Sequence, residues 1–188
     1  RGGDPRARAA RAVARPKRGG ARVRWIHGDA ATLPPLRVDL VTLTANVAQE
    51  IVDPGDWEAT LHGAHEALRP GGQLVFETRD PARRAWETWN RESSHRVTEI
   101  PDVGPVETWV EVTEIVGPLV SFRWTYVFRR DGQVLTSDST LRFRERQEAE
   151  ADLAAQGFVV REVRGAPDRP GRELVLIARR PGPAPRRR

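Results

Sequence analysis

The sequence predicts an α/β fold: a parallel sheet with helices on its faces and an antiparallel sheet inserted late in the chain. Three observations predict it. Helix, strand, strand, helix and strand follow one another with short loops up to residue 76, which implies parallel strands joined by right-handed crossovers. The second and third strands, VDLVTLT and LVF, are nearly continuous apolar runs, as strands covered on both faces require. From Val120 to Phe128 the apolar residues then switch to strict alternation, followed by the hairpin signal Asp131-Gly132.

The elements are taken in chain order. Asp4-Pro5 reads as a helix start, with Asp at the N-cap and Pro at the first helical position. Ala9, Ala10, Val13 and Ala14 give that helix an apolar stripe, and Pro16 with Gly19-Gly20 ends it. Residues 23–27 read as a first strand ending at Gly28-Asp29, and residues 38–44 as a second. Asp53-Pro54-Gly55-Asp56 is a turn, with Asp56 a suitable N-cap. Trp57, Leu61, Ala64 and Leu68 then share one helical face, and Arg69-Pro70-Gly71-Gly72 closes it. Residues 74–76 form the third strand.

Residues 82–90 are expected as a short helix carrying Trp86 and Trp89. Residues 106–116, 120–128 and 135–143 are expected as three consecutive antiparallel strands. Residues 145–156 form a polar helix closed by Gly157. Residues 158–163 and 173–178 are the last two strands. The expected domain covers residues 1–181, with an antiparallel lid at 101–144 and a Pro/Arg-rich, disordered tail at 182–188.

Composition narrows the function classes. The 188 residues suit one domain, and 38% hydrophobic with 30% charged residues is globular. No apolar run reaches the roughly 18 residues a membrane span needs, so a cytoplasmic location is expected. The absence of Cys excludes disulfides, thiol nucleophiles and Cys-ligated metals, and no metal site is expected. There is no Met, so Arg1 is not expected to be a natural start. The net charge of +5 invites a nucleic-acid reading. Much of the excess sits at the two ends, however, and Lys17 is the only Lys. Arg-for-Lys usage with abundant Ala, Gly and Pro fits GC-rich coding instead.

Polar residues recur just past the strands. An acid at the carboxyl end of a strand in a nucleotide-binding sheet accepts hydrogen bonds from ribose hydroxyls; Asp4 fits that role or is only an N-cap. Asp29, after Gly28, accepts from an adenine amino group or is a turn residue. Asn46 and Gln49 hold a cofactor or substrate through their amides, or cap a polar loop. Glu77, Arg79 and Asp80 follow the third strand. A ligand crevice along the carboxyl edge of the sheet predicts this arrangement.

Gly3-Asp4-Pro5, Gly28-Asp29-Ala30, Asn46-Val47-Ala48-Gln49 and, most specifically, Leu68-Arg69-Pro70-Gly71-Gly72-Gln73-Leu74 resemble landmarks of class I S-adenosylmethionine-dependent methyltransferases. The likeness also takes in Asp39, Phe143-Arg144 and Gly157-Phe158, and spans about residues 1–181. Glu77-Thr78-Arg79-Asp80-Pro81 is similar to a bacterial, actinobacterial branch of that family. The resemblance implies a Rossmann-like sheet of seven strands, mostly parallel, with the last antiparallel. It implies S-adenosylmethionine as cofactor: Asp4 on the ribose, Asp29 on adenine N6 with Gly28 and Ala30 beside the ring, and Asn46, Val47 and Gln49 beside the methionine and methyl group.

The aromatic residues of the inserted strands and of the segment before them favour a small-molecule acceptor, with Trp86, Trp109, Trp124 and Tyr126 as the candidate lining. The same residues also read as core or as a dimer contact. Transfer from a sulfonium needs no general base when the nucleophile is already basic; His95 is the candidate if one is used, with His62 and His65 read as helix-surface residues and His27 as a strand end. One departure matters. The family's first strand and Gly-rich turn would precede Asp4 and are not in the sequence, so weak or no cofactor binding is expected of these 188 residues. The alternatives are a non-catalytic fragment and a basic RNA-binding methyltransferase relic.

Overall fold

The computed structural model describes residues 23–24, 26–28 and 33–182. In chain order these form β1 (Val38–Leu43), α1 (Val47–Glu50), α2 (Pro54–Ala67) and β2 (Leu68–Arg79). Two 3-10 turns follow (Pro81–Arg83 and Ala85–Thr88), then α3 (Arg91–Ser94). Next come β3 (Arg96–Ile100), β4 (Gly104–Val116), β5 (Leu119–Phe128) and β6 (Val134–Arg142). The chain closes with α4 (Arg146–Ala155), β7 (Val159–Gly165) and β8 (Glu173–Arg179). No helix among the described residues is long and apolar enough to cross a membrane.

The strands make two four-stranded sheets. The first has the order β1-β2-β8-β7. β1 and β2 are parallel, while β8 runs antiparallel to both β2 and β7. The last strand therefore inserts, reversed, between β2 and β7. The second sheet, β3-β4-β5-β6, is wholly antiparallel.

Helix α2 shows why the first sheet forms here. Asp53 caps it by accepting from Gly55 N at 2.7 Å and Asp56 N at 3.0 Å, so the cap is Asp53 and not Asp56. Pro54 occupies the first turn, where its missing N–H costs nothing. The predicted face of Trp57, Leu61, Ala64 and Leu68 is buried against Leu74, Phe76, Leu153, Phe158 and Leu176. At the far end Arg180 Nη1 donates to the carbonyls of His65 (2.6 Å) and Leu68 (2.8 Å), groups a helix terminus leaves unpaired.

The segment Arg69-Pro70-Gly71-Gly72 opens β2. Gly71 has φ +88°, a conformation that favours glycine. A Cβ on Gly72 would lie 3.0 Å from Arg69 O and 3.1 Å from Asp39 O, both backbone atoms. Close approach of β2 to β1 therefore requires glycine at 72. Gly72→Ala is expected to destabilise the fold by about 1–3 kcal/mol, the range for overpacking, read as a lowered urea midpoint with unchanged slope.

Four expectations need correction. The described residues of 23–28 form no strand, and Val23 and Ile26 are exposed, with no partner strand beside them among the described residues. Among the described residues β1 is an edge strand rather than a central one; only Val38, Val41 and Leu43 reach the core, and Leu40 is 53% exposed. The inserted sheet has four strands rather than three. β3 escapes a hydrophobicity reading because all five of its residues are exposed and it is held by pairing to β4 alone. Residues 82–90 form 3-10 turns rather than one helix.

Candidate functional site

The carboxyl ends of β1 and β2 lie side by side, since Leu43 pairs with Phe76 in parallel register. Beyond β1 the chain turns through Ala45 and Asn46, both at φ 58°. Left-handed backbone costs an L-residue roughly 1–2 kcal/mol, so something must hold the turn. Ala45 N donates to Glu77 Oε1 at 2.7 Å. Asn46 Nδ2 donates to Glu173 Oε1 at 2.9 Å, and both residues are buried.

The holding carboxylates are themselves bridged. Arg169 donates to Glu77 Oε2 at 3.0 Å and to Glu173 Oε1 at 2.8 Å. Gln49, fully buried on α1, accepts from Arg79 Nη1 at 3.0 Å and from Arg79 N at 3.3 Å. Burial lowers the pKa of Arg79, and the nearby Glu173 opposes that shift. The result is a six-residue cluster on the carboxyl ends of β1 and β2 and the start of β8. Three buried polar atoms in it have no partner among the described residues: Asn46 Oδ1, Gln49 Nε2 and Glu173 Oε2. An unpaired buried polar atom is costly, and such strain and polarity concentrate at sites that take a ligand.

Asn46, Val47 and Gln49 lie together at the turn and helix that follow β1. The side-chain amides of Asn46 and Gln49 face inward, toward Glu173 and Arg79 respectively, rather than outward. Arg169 and Glu173 were not legible as site residues; the one signal is an acid opening the otherwise apolar strand ELVLIA. Asp4, Asp29 and Ala30 lie outside the described residues, and Gly28 stands at a bend outside any strand.

The aromatic candidates divide between the two faces of the second sheet. On β4 and β5, Val110 pairs with Trp124 and Thr108 with Tyr126, so these share one face. Trp109 pairs with Thr125 and points to the opposite face, where Arg91 lies 4.3 Å above its ring. Trp109 is therefore not part of one lining with Trp124 and Tyr126; alternation along a strand forbids it. Trp86 is half-buried and packs against the core of the second sheet: its ring meets Phe143 edge-on at 4.5 Å. Trp89 packs on Phe122 at 4.9 Å, and the Arg79 guanidinium sits 5.7 Å from its ring.

A groove of about 450 Å³ runs from Trp89 to Trp124, with Ser93, Ser94, Thr98 and Thr108 along it and no carboxylate. His95 lies on the Trp109 face, with Nε2 at 3.0 Å from Glu107 Oε2. The His95 contact, then Arg129, holds the Glu107 carboxyl below its ordinary range. His62 is exposed, and His65 packs edge-on against Phe158 at 5.1 Å.

The architecture matches solved S-adenosylmethionine-dependent methyltransferases. CcbJ from Streptomyces caelestis superposes with a TM-score of 0.69 at 20% identity, over 94% of this chain and 69% of that one. The fold is that of class I S-adenosylmethionine-dependent methyltransferases. An enzyme of this kind from Clostridium acetobutylicum ATCC 824 gives 0.61 at 15% identity, over 84% and 64%. The sugar N-methyltransferase KedS8 from Streptoalloteichus sp ATCC 53650 gives 0.62 at 17% identity, over 82% and 61%. The chain thus spans about two thirds of the length of these structures. No protein-family model and no curated protein matches the sequence.

Proposed function

We propose that this chain carries the methyl-transfer half of an S-adenosylmethionine-dependent methyltransferase acting on a small-molecule acceptor. The observation that carries the proposal is the braced Ala45–Asn46 turn, with its unpaired buried amide atoms, at the carboxyl edge of a sheet of this fold. In such sheets ligands bind outside the carboxyl ends of the strands. Solved neighbours hold S-adenosylmethionine or its demethylated product, and the donor set here fits that group. The turn at Ala45–Asn46 brings the backbone after β1 to the amino-acid end of the cofactor, while the bond from Ala45 N to Glu77 and the side chains of Asn46 and Gln49 hold the turn from below. Asp4 is assigned to the ribose, and Gly28, Asp29 and Ala30 to the adenine.

The bound cofactor supplies an activated methyl group. The chain supplies alignment, which contributes on the order of 7–11 kcal/mol in well-oriented reactions. We place the acceptor in the groove between Trp89 and Trp124, whose Trp89 wall adjoins Arg79 and hence Gln49. With no carboxylate along it, that groove suits a neutral or anionic ring rather than a cation. No histidine lies in the cluster, so the nucleophile is deprotonated by solvent or arrives as a free base.

The RNA-binding alternative gains little. Most of its terminal arginines lie outside the described residues, and within them Arg69, Arg123, Arg129, Arg142, Arg146 and Arg169 are each engaged by a carboxylate. Calorimetric titration of S-adenosylmethionine tests the reading, on this chain and on one extended upstream through its own reading frame. The expected result is saturable binding by the extended chain, weaker by about tenfold or more, near 1.4 kcal/mol, in the 188 residues. No saturable heat from either would end the proposal.

A further inference from the structure

We infer that Arg144 is a positioning residue, tying the segment after β1 to the inserted sheet and so fixing the cofactor-side turn relative to the acceptor side. The last carbonyls of the one-turn helix α1 have no partner within the helix. Arg144 Nη1 donates to Ala48 O at 2.8 Å and Nη2 to Ile51 O at 2.7 Å. A cation at this end of a helix also opposes its dipole. The guanidinium plane lies 4.4 Å from the Trp57 ring, and only 4% of the residue is exposed.

No ion pair among the described residues involves Arg144, and its Nε has no partner. Burial, with Arg142 adding to it, pushes its pKa down to about 10, which leaves it cationic at neutral pH. Glu148 and Asp152 lie near enough to oppose that shift without pairing with Arg144, and a buried guanidinium not bonded to a carboxylate is a poor choice for stability alone, since an apolar residue of similar size packs at lower cost. Its planar fork, however, fixes two carbonyls at once, which an ammonium does not.

The preceding residue explains what is tied to what. Phe143 faces the opposite way, into the second core with Val110, Val120, Phe122 and Leu141. It meets Trp86 at 4.5 Å and Trp89 at 6.1 Å. Two consecutive residues leaving β6 therefore clamp different bodies: the inserted sheet through Phe143 and residues 48–51 through Arg144. The Gln49–Arg79–Trp89 chain makes a second link between the same two parts.

The inference rests on the methyltransferase reading only for what the turn is positioned toward. The test compares Arg144→Lys and Arg144→Ala with the parent, using amide hydrogen exchange on this chain and S-adenosylhomocysteine affinity on the upstream-extended one. In Arg144→Lys, amides 47–51 are expected to exchange about tenfold faster while β4 and β5 keep their rates, with affinity reduced by about tenfold. Millimolar guanidinium restores both in Arg144→Ala. Uniform acceleration over both sheets, unchanged exchange at 47–51, or local loosening with unchanged affinity would each overturn it. If the parent binds no S-adenosylhomocysteine, the methyltransferase reading fails; local exchange and its guanidinium rescue then decide whether Arg144 holds the segment.

Discussion

Trp57→Ala is expected to destabilise the protein by about 3–5 kcal/mol, a large share of the roughly 5–15 kcal/mol that holds a domain folded. Trp57 is 3% exposed and meets Phe76 edge-on at 5.5 Å. Its indole N–H donates to Asp152 Oδ2 at 2.9 Å, which joins α2 to α4 across the first core. Its ring also supports the Arg144 guanidinium, so the truncation removes packing, a hydrogen bond and a stacking partner together. Trp57→Phe separates these: it keeps most of the apolar volume and the ring face and loses the indole N–H. A loss near 1–2 kcal/mol is expected there, the hydrogen bond and the unpaired Asp152 being the main terms. Urea unfolding followed by far-ultraviolet circular dichroism measures both. Equal losses in the two variants would show that packing is not what Trp57 contributes.

How much of this was legible in the sequence depends on whether hydrophobic spacing or pairing decides a residue's place. The α2 face was legible because Trp57, Leu61, Ala64 and Leu68 repeat at the helical period and all four are buried. The β5 strand was legible because alternation over nine residues has one reading. β3 was not, since RVTEI buries nothing and exists through its ladder to β4. The two faces of the inserted sheet were not separated either. Trp109 and Trp124 look alike as aromatic strand residues, and only the register placing Trp109 opposite Thr125 shows that they point apart.

The site was legible at the carboxyl ends of strands: Asn46 and Gln49 just past β1, and Glu77 and Arg79, which end β2 rather than follow it as the sequence predicts. It was not legible at Arg169 and Glu173, which reach the turn from more than 100 residues away in sequence. The reversed insertion of β8 brings them there, and local pattern carries no information about that.

Glu173 is where fold and site depend on the same atoms, which makes it the sharpest test of the cluster. Its Oε1 accepts from Asn46 Nδ2 and Arg169 Nη1, and the residue is 5% exposed. Glu173→Ala leaves a buried amide without its acceptor and a guanidinium with one fewer. Breaking a buried charged pair costs about 3–5 kcal/mol, and the lower end applies because Arg169 is partly exposed and keeps Glu77 and Asp168. Glu173→Gln preserves shape and the acceptor for Asn46 but removes the charge, so a smaller loss of about 1.5–3 kcal/mol is expected. The two variants also separate stability from binding. If the left-handed turn at Ala45–Asn46 is what receives the cofactor, cofactor affinity falls further in Glu173→Ala than in Glu173→Gln at a temperature where both stay folded. Affinity equal to the parent in both, with only the unfolding midpoint lowered, would make the cluster a structural staple and move the cofactor elsewhere. Asn46→Ala then distinguishes side chain from backbone: it frees Glu173 and relaxes the turn without altering the net charge of the pocket.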